Sequence, residues 1–198
     1  AVAYAKELGM TVLVTDHHDI PFEEKDGEKH SKRSQADAIV NPKQAECNYP
    51  FSGICGAVVA WKVILALYER MHLPQQEAME FLENAAFATV GDVMDLCDEN
   101  RIIVRYGLEQ MRHTKNPGLR ALMQQTGTRP ESLSAYHFGF VLGPCLNASG
   151  RLDTAVRSLR LMLAETEAEA AVLAAELVDL NEERKRMTGV GVEAAVDY

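Results

Sequence analysis

The feature that most constrains this chain is a short run, Thr11-Val12-Leu13-Val14-Thr15, that is apolar and β-branched and stops abruptly at Asp16-His17-His18. A run of that length and composition predicts a strand buried in a parallel sheet, with the acidic and imidazole side chains at its carboxyl end. The preceding AVAYAKELGM reads as the last turns of an amphipathic helix stopped at Gly9, with no helix start before it, so the chain is expected to be truncated at its N-terminus.

A second short strand is predicted at Ala36-Asp37-Ala38-Ile39-Val40, closed by the turn signal Asn41-Pro42. Between the two strands, residues 22–36 are dense in charge and nearly free of large apolar side chains, which predicts a solvated loop in which His30 has no role. Beyond Pro42 helical signals dominate. The spacing predicts a buried helix around Trp61 from Cys55 to Met71, and another opened by Pro74 and running through Phe81 and Phe87. Asn116-Pro117 and Thr128-Arg129-Pro130-Glu131 read as helix starts. The capping box Thr166-Glu167-Ala168-Glu169 opens an alanine-rich helix to about Met187, with Leu173, Leu177 and Leu180 along one stripe.

The fold class expected is therefore α/β: short parallel strands, then a helix-rich region, then a long C-terminal helix. Residues 1–164 form the domain, and residues 165–198 are a helical connector whose apolar stripe could instead pack on the domain itself.

Composition narrows the function. At 198 residues and 47% hydrophobic, the chain can bury a substantial core. No apolar stretch reaches the roughly twenty residues of a membrane span, and no secretory leader is evident. Cys47, Cys55, Cys97 and Cys145 are scattered without a C-x-x-C pair, as in a reduced cytoplasmic protein. The net charge of -9 argues against a broad basic coat for nucleic acid, so any such contact is local or carried by metal ions.

Three segments carry chemistry. Asp16-His17-His18 combines carboxylate and imidazole, donors that suit manganese, zinc or iron, at a strand end where open α/β sheets hold ligands; a capped or solvated turn is the bland alternative. In ATVGDVMDL, acidic residues interrupt the end of an apolar helix, and Asp92 could reach a metal beside His17, or simply cap a turn while Asp95 faces water. In GPCLNASGRLD, a loop bounded by Gly143 and Gly150 would present Arg151 to a phosphate, unless it is an ordinary helix-helix turn with Asp153 as N-cap.

Taken in order, VTDHHDIP, ADAIVNPK, SGICGAVVAWK, ATVGDVMDL and LNASGRLD resemble the DHH family of phosphoesterases, and LNASGRLD resembles its RecJ branch of single-strand-specific DNA exonucleases. The resemblance implies a C-terminal part of a DHH domain that hydrolyses single-stranded DNA from its 5′ end with two manganese or magnesium ions. It implies His17 and Asp92 as metal ligands, Asp16 as a partner orienting the neighbouring histidine or lying beside the metals, and His18 at the scissile phosphate. Asn147 and Arg151 would grip the nucleotide phosphate, with Ser149 and Gly150 setting the backbone approach. Gly53 and Gly56 serve close packing or the ligand equally well. The family's earlier aspartate motifs are not in this sequence, so the 198 residues are expected to be inactive alone. A DHH phosphodiesterase acting on cyclic dinucleotides or short oligonucleotides, and a non-catalytic scaffold, remain the alternatives.

Overall fold

In a computed structural model, residues 1–25, 27–32 and 34–196 are described, and they divide into two compact units, Ala1–Arg105 and the residues from Tyr106 onward.

The first unit opens with α1 (Val2–Glu7), which ends where Gly9 takes a positive φ of 73°. Strand β1 (Leu13–Thr15) pairs in parallel with β4 (Ala38–Val40), Leu13 opposite Ala38 and Thr15 opposite Val40. Asp37 fixes this register: its carboxylate accepts from the Val12 amide at 2.7 Å and from Lys6 Nζ at 2.7 Å, while its own amide donates to the Val12 carbonyl. The Lys6 ammonium and the Val12 amide hold the Asp37 carboxyl below the usual range.

The parallel pairing agrees with the sequence, but the burial does not. Val14 and Ile39 are half-buried, whereas Leu13 is 72% exposed and Val40 46%, so among the described residues the sheet is covered on one face. The segment expected to be a loop also differs. It contains β2 (Phe22–Lys25) and β3 (Glu28–Ser31), an antiparallel hairpin turning at Gly27, whose φ is +79°. The stretch is solvated as expected, yet it closes a ladder, because the Asp-Gly pair in the sequence is a strong hairpin signal even between charged strands.

Helix α2 (Gly56–Arg70) buries Val58, Val59 and Trp61, and the Trp61 indole N–H donates to the Ala78 carbonyl at 3.0 Å. The helix expected from Pro74 is broken near Phe81 into α3 (Gln75–Met79) and α4 (Leu82–Gly91). Helix α5 (Asp98–Met111) follows.

In the second unit, α6 (Pro117–Gln125) starts as its sequence predicts: Asn116 Oδ1 accepts from the Leu119 amide at 3.0 Å, and Pro117 occupies the first turn. Thr128 to Ser132 gives a single 3₁₀ turn at Pro130–Ser132 rather than a helix. Next, α7 (Ala135–His137), a π-helical turn (Phe138–Leu142) and α8 (Gly143–Leu152) form one unbroken helical stretch, followed by α9 (Val156–Met162). Helix α10 (Glu167–Val196) starts at the Thr166 hydroxyl and runs nine residues past Met187. Its Ala170, Ala174, Leu177 and Asn181 are buried against α6, α8 and α9.

Candidate functional site

Strand β1 delivers its polar end by continuing one residue past the ladder, where the Asp16 amide donates to the Val40 carbonyl at 3.0 Å. The chain then turns back on the Asp16 carboxylate. One oxygen, Oδ1, meets His18 Nδ1 at 2.6 Å and accepts from the amides of His17 at 2.7 Å and His18 at 3.2 Å. The bond to His18 holds the Asp16 carboxyl below its ordinary range against the opposing effect of burial, and the amides of His18 and His17 add to the lowering. Asp16 therefore remains ionised near neutrality, and the histidine it orients is His18, whose Nε2 is left as the free ring nitrogen. Asn41, fully enclosed, donates from its side chain to the His18 carbonyl at 3.0 Å and so fixes the turn from the β4 side.

His17 points the other way, into the first unit. Its ring packs over Gly56 at the start of α2, where a Cβ atom would lie 3.3 Å from His17 Cδ2; the glycine leaves the room that the imidazole occupies. Its Nε2 lies 3.5 Å from Asp92 Oδ2. Asp92 is the C-cap residue of α4, its amide bound to the Ala88 carbonyl at 2.8 Å. The next residue, Val93, has a φ of +56°, a left-handed conformation that a β-branched side chain rarely adopts. The chain thus leaves α4 through a strained residue immediately after Asp92.

A residue the sequence did not single out holds this loop in place. Asn100, fully buried in α5, uses its side-chain amide to donate to the Gly53 carbonyl at 2.7 Å and to the Asp95 carbonyl at 2.9 Å. It thus clamps the Asp92–Asp95 loop to the segment that cradles His17. Beside it, Glu99 accepts from the Tyr49 hydroxyl at 2.6 Å and from Lys62 Nζ at 2.5 Å, tying the start of α5 to α2. Replacing Asn100 with Ala leaves the Gly53 and Asp95 carbonyls without this donor and is expected to cost about 1–3 kcal/mol at this point in the fold. Hydrogen exchange at residues 91–97 should accelerate, while α6 and α10 keep their protection; unchanged exchange at 91–97 would mean the clamp is idle.

The Asn147–Arg151 segment departs from its sequence expectation. It lies in the middle and end of α8, so its backbone amides are engaged within a helix and are not offered by a loop. Gly143 does not bound a loop; it closes the π turn, its amide donating to the Phe138 carbonyl, and a Cβ there would sit 2.5 Å from that oxygen. Ser149 is fully buried, its hydroxyl 2.7 Å from Ser158 Oγ and 3.2 Å from the Leu146 carbonyl. Gly150 is exposed, and a Cβ there would meet Ala155 at an ordinary 3.6 Å. Asn147 and Arg151 are exposed, and the Arg151 guanidinium makes no ion pair among the described residues.

Residues 1–90 match the family model "DHH family, N-terminal domain". The chain is 39% identical over 193 residues to the single-stranded-DNA-specific exonuclease RecJ of Bacillus subtilis, and 37% identical over 206 residues to that of Salmonella typhimurium. Residues 1–90 thus carry the N-terminal domain of the DHH family. Each alignment takes in 98% of this chain, but the chain spans 23% and 34% of the length of those two relatives. Among solved DHH structures, RecJ from Thermus thermophilus in complex with Mn2+ superimposes with a TM-score of 0.80 at 30% identity, over 97% of this chain and 28% of that one. A second, of exonuclease RecJ bound to manganese, gives 0.80 at 29% identity over 98% and 48%. The α/β architecture read from the sequence is that of these DHH neighbours. Asp16, His17 and His18 fall inside the matched residues, and Asp92 lies two residues beyond them.

Proposed function

We propose that this chain is part of a divalent-metal-dependent nuclease that hydrolyses single-stranded DNA from its 5′ end, in the cytoplasm, in DNA repair and recombination. The observation that carries this reading is the approach of His17 Nε2 to Asp92 Oδ2, 3.5 Å apart although 75 residues separate them in sequence. Two protein ligands each about 2.1 Å from one ion lie roughly 3–4 Å from each other. An imidazole and a carboxylate at that separation fit one manganese or magnesium ion. The RecJ relatives and the manganese-bound neighbours support the same assignment.

When bound, divalent ions supply charge to the scissile phosphate and lower the pKa of water to give a hydroxide nucleophile. The protein's own residues take the following roles in this reading. His17 and Asp92 would hold the ion, with Gly56 setting the depth of the imidazole. His18, oriented by the ionised Asp16, directs its free nitrogen outward to a phosphate oxygen. Arg151 would neutralise a DNA phosphate and Asn147 would hydrogen-bond it. Among the described residues no group of three or more His, Cys, Asp or Glu side chains converges on one point. The 198 residues alone are therefore expected to release no nucleotides from single-stranded DNA.

Titration of this chain with Mn2+, followed by paramagnetic broadening in NMR spectra, tests the reading without activity. Broadening should centre on His17, Gly56 and Asp92 and disappear in His17→Ala. Broadening that is equal in both proteins would remove the metal assignment and favour a scaffold.

A further inference from the structure

The helical stretch 135–152 is buried along most of its length. Phe138, Leu142, Gly143, Cys145, Ala148 and Ser149 are enclosed. One ridge is not: Tyr136, Phe140, Asn147 and Arg151 are exposed and recur at one- or two-turn intervals along the same side. Two large aromatic side chains facing water need a reason, since burying either one is worth several kcal/mol. Tyr136 is 64% exposed and Phe140 71%. Their rings are already stacked on each other, with centroids 5.2 Å apart and planes inclined by 24°, so they present a preformed flat apolar surface. Further along the same ridge stand the Asn147 amide and an Arg151 guanidinium that no carboxylate neutralises among the described residues. From Phe140 to Arg151 the helix rises about 16 Å, the length of a few nucleotides.

We infer that this ridge is a track for a single strand, with Tyr136 and Phe140 as a stacking platform for unpaired nucleobases and Arg151 as the contact to the phosphate chain. The inference deepens the proposed reading and rests on it. Each element has its own reason. Every base carries a π-face, so aromatic stacking binds a strand without regard to sequence, and a paired base in a duplex cannot offer that face. The unneutralised guanidinium selects a polyanion over a neutral apolar partner. Local recognition of this kind also reconciles a net charge of -9 with a nucleic-acid ligand, because no broad basic surface is required. The π turn contributes rigidity at the platform: the close approach of Gly143 to the Phe138 carbonyl admits no side chain, which fixes the helical path between the rings and Arg151.

The test uses this chain in EDTA, a fluorescent thymidine oligonucleotide, and an abasic strand of equal length, with binding read by anisotropy. Phe140→Ala and Tyr136→Ala should each weaken binding of the thymidine strand by about tenfold or more. They should leave the abasic strand and the salt dependence unchanged, and Tyr136→Phe should bind as the wild type. Arg151→Ala should weaken both strands alike and reduce the slope of log K against log salt by about 0.7. The platform fails if Phe140→Ala discriminates thymidine from abasic strands as the wild type does; the metal reading is judged separately by Mn2+ broadening at His17. It also fails if the wild type binds neither strand, or if Phe140→Ala acts by abolishing self-association of the chain.

Discussion

Replacement of Gly118 by Ala should be the most damaging single-methyl change in this protein, costing about 3 kcal/mol or more. A Cβ atom built at residue 118 would lie 2.0 Å from the Leu161 carbonyl oxygen and 2.8 Å from its carbon. Both are backbone atoms of α9, so no side-chain rotation relieves the clash and α6 must separate from α9. That separation breaks the bond from the Asn116 side chain to the Met162 carbonyl, 2.9 Å long, which joins the start of one helix to the end of the other. It also loosens Leu119, Leu122 and Leu161, all fully enclosed. Since whole domains are stable by only about 5–15 kcal/mol, the loss should appear as a large drop in the urea midpoint. Gly189→Ala is the control: nothing lies within 4 Å of a Cβ there, and in an exposed helix the change should stabilise by up to about 1 kcal/mol. Equal midpoints for the two variants would show that α6 and α9 do not meet as described.

If the proposed function holds, His17→Ala and Asp92→Ala, introduced into a full-length nuclease carrying this segment, should each reduce nucleotide release by more than about a hundredfold. Outer partners of metal ligands typically contribute about 10- to 100-fold, and these two side chains are assigned to the ion itself. The sharper variant is Gly56→Val. It keeps both donors but fills the space against which the imidazole rests, 3.3 Å from a Cβ, and so displaces His17 from Asp92. Its activity should fall by a similar order and recover in part at high Mn2+, whereas His17→Ala should not recover. Full activity in Gly56→Val would mean that the position of the imidazole is not what the reaction requires.

Much of the fold is legible in the sequence because it follows from local chemistry. The stop at Gly9, the Asn116 cap and the start of α10 at Thr166 are each decided by one side chain and its own neighbours, as are the ends of β1 and β4. The hairpin is hidden because its composition is that of a solvated segment. Pairing between exposed charged strands leaves no apolar alternation to read, and the Asp-Gly turn is the one available signal. The helix through Ser149 and Gly150 reads as a loop because glycine marks close approach in helices as readily as it marks turns, and Gly143 serves a π turn.

The site divides in the same way. Asp16, His17, His18 and Asp92 are recognisable by type and by their position at element ends. Asn41 and Asn100 are not, because their importance lies in carbonyl partners 23 and 47 residues away, His18 and Gly53, which no window of sequence reveals. A buried asparagine near a strand end or a helix start has no distinctive pattern until its partners are known.

The placing of the β2–β3 hairpin has one practical outcome. Asp37 locks one end of the paired strands and the Asp16 amide, with Asn41, locks the other, so the intervening segment is an inlay, not a brace. Lengthening such an inlay costs only about 0.6 kcal/mol for each doubling. The neighbourhood of Gly27 is thus a natural splice point, where a reporter peptide could be grafted and leave His17 undisturbed.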